Sequence, residues 1–104
     1  MSDVVNIVAI ITPAPGKKEL AQAALAELAQ KVQENEPNCL QYQFFFHEET
    51  GEFISIERFK NMAALEFHRQ QPYLAELKER AIKDQSLAKP LDIRVLTPTS
   101  GFTK

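Results

Sequence analysis

The chain has 104 residues, 44% of them apolar and 25% charged, the balance of one globular domain rather than of a disordered segment. Twelve Lys and Arg against fourteen Asp and Glu leave a net charge of -2, so no cationic footprint marks the chain for nucleic acid or for an anionic membrane surface. The one cysteine, Cys39, excludes an internal disulfide and a cysteine-rich metal site, and the longest apolar stretch, Val4 to Ile11, falls far short of the ~20 residues that cross a bilayer.

Val4 to Thr12 (VVNIVAIIT) is β-branched or apolar at nearly every position, and Pro13-Ala14-Pro15-Gly16 closes it. That pattern predicts a strand buried on both faces. Lys17 to Asn35 carries Leu20, Ala24, Leu28 and Val32 at a spacing of four, widened by Ala21 and Leu25, the stripe of an amphipathic helix. Glu36-Pro37-Asn38 stops it, because the residue before a proline avoids the helical region. Cys39 to His47 is a second strand, Glu48 to Glu52 a polar turn with a glycine, and Phe53 to Lys60 a third strand, together a hairpin. Asn61 is a candidate cap for a short helix over residues 62–70. Pro72 opens a second helical stretch over residues 73–83, with Tyr73 or Leu74, Leu77 and Ala81 as its apolar face. After a loop at Asp84 to Pro90, Leu91 to Leu96 is the last strand, and residues 97–104 form a tail.

The order strand, helix, strand, strand, helix, strand predicts an α+β, ferredoxin-like βαββαβ fold, a four-stranded antiparallel sheet with its helices on one face. It forms a single domain over 1–104 with its core at about 4–96. A sheet covered on one side alternates apolar with polar residues. Strand one does not alternate, and strand two holds Phe44, Phe45 and Phe46 in succession. The second face therefore needs cover that this chain does not supply, so a homodimer with the two sheets face to face is expected. A domain this small buries only about two-thirds of its unfolded surface, which favours a ligand pocket shared with the second copy. No basic region followed by an apolar run opens the sequence, so a cytoplasmic protein is expected.

The run VAIITPAPGKKELAQAALAELA, the segment EPNCLQYQF, the ERF of strand three and the helical AALEFHRQQPYL resemble the antibiotic biosynthesis monooxygenase family, from about Val4 to Leu96. The resemblance implies a dimeric α/β barrel and, from some members, oxidation of quinols or polyphenols without metal, flavin or haem. It also implies a Glu at the end of strand three, here Glu57, and a His on the following helix, here His68. The family's glycine before the Cys-Leu pair is Asn38 here, and asparagine tolerates a left-handed backbone. Its tryptophan after that Glu is Phe59, which keeps the packing and loses an N–H donor. The asparagine, tryptophan and histidine of the haem-degrading branch fall on Ala9, Phe67 and Leu77, so a haem site lacks its iron ligand.

His68 is the candidate general base for a phenolic proton, or a donor to a substrate oxygen, since histidine as a class titrates near neutrality. Its bland alternative is a helix-end histidine satisfied by a backbone carbonyl. Glu57 shares a strand face with Phe53, Ser55 and Phe59, while Ile54 and Ile56 take the other. The aliphatic pair is expected on the helices, which would aim Glu57 into the barrel to hold a substrate hydroxyl, orient His68 or pair with an arginine. Tyr42 is expected as a further orienting group. Asn6 and Tyr73 offer polar groups, and Phe44 and Phe67 apolar walls, for an aromatic ligand, although such residues also serve as plain core. His47 stands beside Glu48 and Glu49 and reads as solvent-facing; with His68 alone it does not make a metal site. Cys39 reads as a small buried hydrophobe.

No phosphate loop, dinucleotide fingerprint or Ser–His–Asp signature is present, and no cofactor is expected. The expected function is a cofactor-independent monooxygenase that takes a small phenolic or hydroquinone-type substrate and dioxygen, with His68 as base and Glu57 and Tyr42 as orienting groups. Two alternatives stand beside it. One is an isomerase, cyclase or dehydratase acting on a small carbonyl compound in the same pocket. The other is a non-catalytic ligand-binding or dimerisation domain.

Overall fold

Strand one looks uniformly apolar in sequence, yet only every second residue faces the protein's own helices. In the computed structural model, which describes residues 3–104, β1 (Val5–Ile11) buries Val5, Ile7, Ala9 and Ile11, while Asn6, Val8 and Ile10 are half-buried. The first two residues of the expected domain lie outside the described residues. Helix α1 (Lys18–Asn35) follows, then β2 (Cys39–His47), β3 (Glu52–Phe59), α2 (Met62–Arg69), α3 (Pro72–Asp84) and β4 (Asp92–Leu96). The strands form one four-stranded antiparallel sheet in the order β2-β3-β1-β4, the ferredoxin-like βαββαβ arrangement expected from the sequence. Each element lies within about a residue of its expected bounds, as repeating patterns allow.

The register sorts the sheet into two faces. Val5 pairs with Phe59, Ile7 with Glu57, Ala9 with Ser55 and Ile11 with Phe53, and Tyr42, Phe44 and Phe46 stand opposite Glu57, Ser55 and Phe53. These residues make the helix-covered face. Its apolar part splits into two clusters: Val5, Ile7 and Phe59 pack with Ala64 and Leu65 of α2, and Ala9, Ile11 and Phe53 pack with Ala21 and Leu25 of α1. Asn6, Val8, Ile10, Phe45, Ile54 and Ile56 make the other, open face.

This sorting corrects the expectation for Glu57. Ile54 and Ile56 do not pack on the helices; they face outward, with Ile56 38% exposed. Glu57 is buried under the helices of its own chain rather than aimed at a second sheet. The physical reason lies in the sheet as a whole, since Phe53 and Phe59 of β3 itself and the odd-numbered residues of the neighbouring β1 carry far more apolar surface than two isoleucines and decide the inward face together.

Helix α1 buries Ala21, Leu25, Leu28 and Val32, whereas Leu20 is 43% exposed. A strict spacing of four drifts around a helix of 3.6 residues per turn, and the buried stripe steps by four, three and four instead. Asn61 caps α2 as expected, its side-chain oxygen accepting the Ala64 backbone N–H at 2.9 Å. Pro72 begins α3, which ends on Gln85 in the left-handed conformation at φ 51°. Asn38 does not use that conformation; among the described residues Gln85 is the non-glycine with positive φ. The loop from α3 to β4 is tied to the end of β1, where Ala14 donates to the Ser86 carbonyl and Ala88 to that of Thr12. Among the described residues no helix is long and apolar enough to cross a membrane.

Candidate active site

The last turn of α1 carries the chain into the protein rather than out of it. The Glu36 N–H closes that turn on the Val32 carbonyl at 2.9 Å, and the Glu36 carbonyl accepts the Cys39 N–H at 3.1 Å. Pro37 forbids further helix, so the backbone folds back into β2 and leaves the Glu36 side chain inside, with the residue 4% exposed. An isolated buried carboxylate is costly and needs partners.

Helix α2 supplies one. Its buried stripe is Ala64, Leu65 and His68, at helical spacing, so the packing that docks α2 on β1 and β3 also turns His68 inward. Nδ1 of His68 lies 2.8 and 2.9 Å from the two carboxylate oxygens of Glu36. Helix α3 supplies the second partner, for the Tyr73 hydroxyl donates to Oε2 of Glu36. An ionised Glu36 can only accept, so the proton of the pair sits on Nδ1 of His68, and in neutral imidazole Nε2 is then the acceptor. Among the described residues Nε2 has no hydrogen-bond partner. Two aromatic rings pack against the imidazole, with centroids 5.2 Å away for Tyr42 and 5.0 Å away for Phe59, both tilted. Phe59, fully buried, is thus a wall of the site.

A second carboxyl stands on the sheet below. Glu57 accepts the Ser55 hydroxyl at 2.7 Å, and Ser55 Oγ accepts the Ala9 backbone N–H at 3.0 Å. Burial pushes the Glu57 carboxyl above its usual range, opposed by the Ser55 hydrogen bond and by His68, and reinforced by Glu36. Tyr42, the cross-strand partner of Glu57, has its phenol pushed well up by burial and then by the Glu57 and Glu36 carboxyls, so it remains a hydrogen donor. Phe44 packs edge-on against Tyr42 at 5.4 Å. Burial also raises the Cys39 thiol to about 11, with Glu36 adding to the effect, which leaves it a poor nucleophile.

His68, Glu57, Tyr42, Tyr73 and Phe44 therefore share one region between sheet and helices. Two of the sequence candidates do not join them. Asn6 pairs with Arg58 and Leu96 on the open face, because its parity in β1 is opposite to that of Ile7 and Ala9. Phe67 is 47% exposed, one residue off the stripe that turns His68 inward. His68 is also not satisfied by a backbone carbonyl; its acceptor is Glu36. Sequence reasoning missed Glu36, which it took only as a helix stop, and Ser55. The available signal was an acid just before a proline, within the same EPNCLQYQF segment that carries the family resemblance.

A cleft of about 140 Å3 runs between α1 and α3, lined by Leu20, Ala24, Leu77, Arg80 and Ser86. It does not reach His68 and is below the ~300 Å3 of a usual ligand pocket. Among the described residues no group of three or more His, Cys, Asp and Glu is placed to hold a metal ion.

Residues 4–80 match the family described as antibiotic biosynthesis monooxygenase. A protein of Synechocystis sp. is 37% identical over 82 residues, covering 78% of this chain and 54% of that protein, so the chain spans about half the length of that relative. A candidate monooxygenase of Mycobacterium tuberculosis, Rv0793, is 28% identical over 98 residues, 94% of each chain. Its solved structure aligns with a TM-score of 0.81 and 25% identity, covering 96% of this chain and 99% of that one. A Caulobacter crescentus structure, described as a candidate antibiotic biosynthesis monooxygenase, aligns with a TM-score of 0.83 and 27% identity over 95% of this chain and 92% of that one.

Proposed function

The chain belongs to the antibiotic biosynthesis monooxygenase family, and from that premise we propose that it is a cofactor-independent monooxygenase of a phenolic or hydroquinone-type molecule. The observation that carries the reading is the buried His68, held at Nδ1 by Glu36 with Nε2 left as acceptor. Nε2 takes a proton from a ring hydroxyl, and Glu36 steadies the imidazolium that forms. The resulting phenolate is electron-rich enough to pass an electron to dioxygen, and the two radicals combine at a ring carbon. Loss of water then leaves one oxygen atom on the ring as a carbonyl. For a hydroquinone, one dioxygen consumed gives one hydroxyquinone and one water, and no outside reductant is needed. Tyr42 donates to a substrate oxygen, Glu57 holds a second hydroxyl, and Phe44 and Phe59 keep water from the radical pair. The remaining partner is a second copy of the chain, on the open face of the sheet.

The test is oxygen uptake with a substituted hydroquinone, with labelled dioxygen to follow one atom into the product. His68→Ala should lower turnover by roughly 10²–10⁴. Wild-type turnover should rise along an acid limb as imidazole becomes neutral, and the variant should lack that limb. Glu57 supports a second reading, because a buried carboxyl raised above its usual range and set beside a histidine base is the kind of acid–base pair an enolisation needs. Proton exchange beside the carbonyl of a small ketone, without oxygen uptake on any hydroquinone, would favour that isomerase reading and sink the first.

A further inference from the structure

We infer that Tyr73 is a positioning residue for the His68 base: the phenol that α3 lays on Glu36 shares that carboxylate with His68 and so sets how strongly it holds the imidazolium. Glu36 turns both carboxylate oxygens to Nδ1, and one of them, Oε2, also accepts from Tyr73. The three side chains come from three elements, the end of α1, the end of α2 and the start of α3. Tyr73 sits one residue inside α3, just after Pro72, so the point where the helix starts fixes where its phenol arrives.

Two features argue that the contact does more than fasten α3. Helix α3 has no fully buried residue, so it contributes little core, yet its tyrosine reaches a carboxylate in a residue that is 4% exposed. A hydrogen bond to a charged acceptor in such a place is strong, and charge drawn toward the phenol is charge withdrawn from Nδ1–H. Burial, and then the Glu36 contact, push the Tyr73 phenol up, so it stays a donor across the working range of pH. The titratable groups that face the imidazole are Glu36 at the end of α1, Tyr42 on β2 and Glu57 on β3, while Cys39 on β2 and Tyr73 on α3 face the Glu36 carboxylate. Among the described residues no lysine or arginine pairs with either carboxylate, so the two donors on Glu36 are what divides its charge.

This assignment borrows the role of His68 from the proposed function only for its catalytic consequence, and its primary readout needs no substrate. The imidazole titration of the free protein is followed by NMR; the chain has two histidines, and His68→Ala identifies the signal. In Tyr73→Phe the full charge of Glu36 falls on His68, and the titration midpoint should rise by at least about half a pH unit. Replacing Tyr73 with 3-fluorotyrosine keeps the ring, strengthens the donor and should move the midpoint down. In a Glu36→Gln background, Tyr73→Phe should add no further shift. A midpoint that stays or falls in Tyr73→Phe overturns the assignment, as does the same rise in the Glu36→Gln background. Should Tyr73→Phe not fold, the fluorinated protein decides alone, by a downward move or by none. Where hydroquinone oxidation is measurable, the acid limb of turnover should move with the midpoint. A shifted midpoint in a protein that consumes no oxygen would reject the monooxygenase and leave the positioning role standing.

Discussion

Glu57 is a residue that this fold carries at a cost. Its carboxyl is raised above its ordinary 4.5, chiefly by burial, and the hydrogen bond it accepts from Ser55 does not cancel that. The folded protein therefore holds the Glu57 proton to higher pH than the unfolded chain does. Between those two points the folded state binds more protons, so stability contributed by this group falls as pH rises. Glu57→Gln removes the titration while leaving an amide oxygen to accept from Ser55. The melting temperature of the wild type relative to Glu57→Gln should thus decline as pH rises above about 4.5, read by thermal unfolding at a series of pH values. A constant difference between the two proteins would mean that Glu57 is solvated as well as any surface acid. The placing of Glu57 depended on more than its own strand. Parity alone separated it from Ile54 and Ile56, but which set faces inward was decided by Phe53 and Phe59 together with the residues of β1 that stand opposite them. Glu36 was less legible still, because its partner stands 32 residues away and that pairing is a fact of tertiary packing.

At the scale of the element, α2 is the part whose placement decides the site. It has eight residues, too few to be stable alone, so its cap and its three inward residues must hold it. Asn61 accepts the Ala64 N–H, one of the unpaired donors of the first turn. Asn61→Ala should cost about 1 kcal/mol and lower the melting temperature by roughly 4–8 °C, whereas Asn61→Gly should cost only a few tenths. Equal losses in the two variants, measured by denaturant unfolding, would show that the side chain does something other than cap. This cap, the hairpin turn and the proline that starts α3 were all readable in sequence, since each depends on one residue's backbone preference. So was the order of elements, which depends on runs of like pattern. The exposure of Leu20 was not, because a spacing of four and the true helical repeat part only after several turns, and the docking of α1 on the sheet selects between them.

The whole molecule leaves one side of its sheet without a layer. Val8, Ile10, Ile54, Ile56 and Phe45 lie together on the open face, and Leu96 of β4 joins them opposite Asn6. Phe45 and Leu96 are each 45% exposed and Ile56 is 38% exposed, a density of large apolar groups that a monomer rarely shows to water. The same face of a second copy would be the complementary surface, since a two-fold interface is made of one patch used twice. We expect a homodimer at micromolar concentration that buries at least ~1,500 Å2 in total. Ile56→Lys places a charge in the middle of that face, and light scattering should then find the monomer. Because Glu36, His68 and Glu57 are covered by their own chain's helices rather than by the second sheet, the dissociated variant should keep the imidazole titration of the wild type. A wild type that is monomeric at these concentrations would sink the interface. A variant that dissociates and loses the titration would show that the partner sheet, though it does not cover the site, is needed to hold β3 and its carboxylate in place.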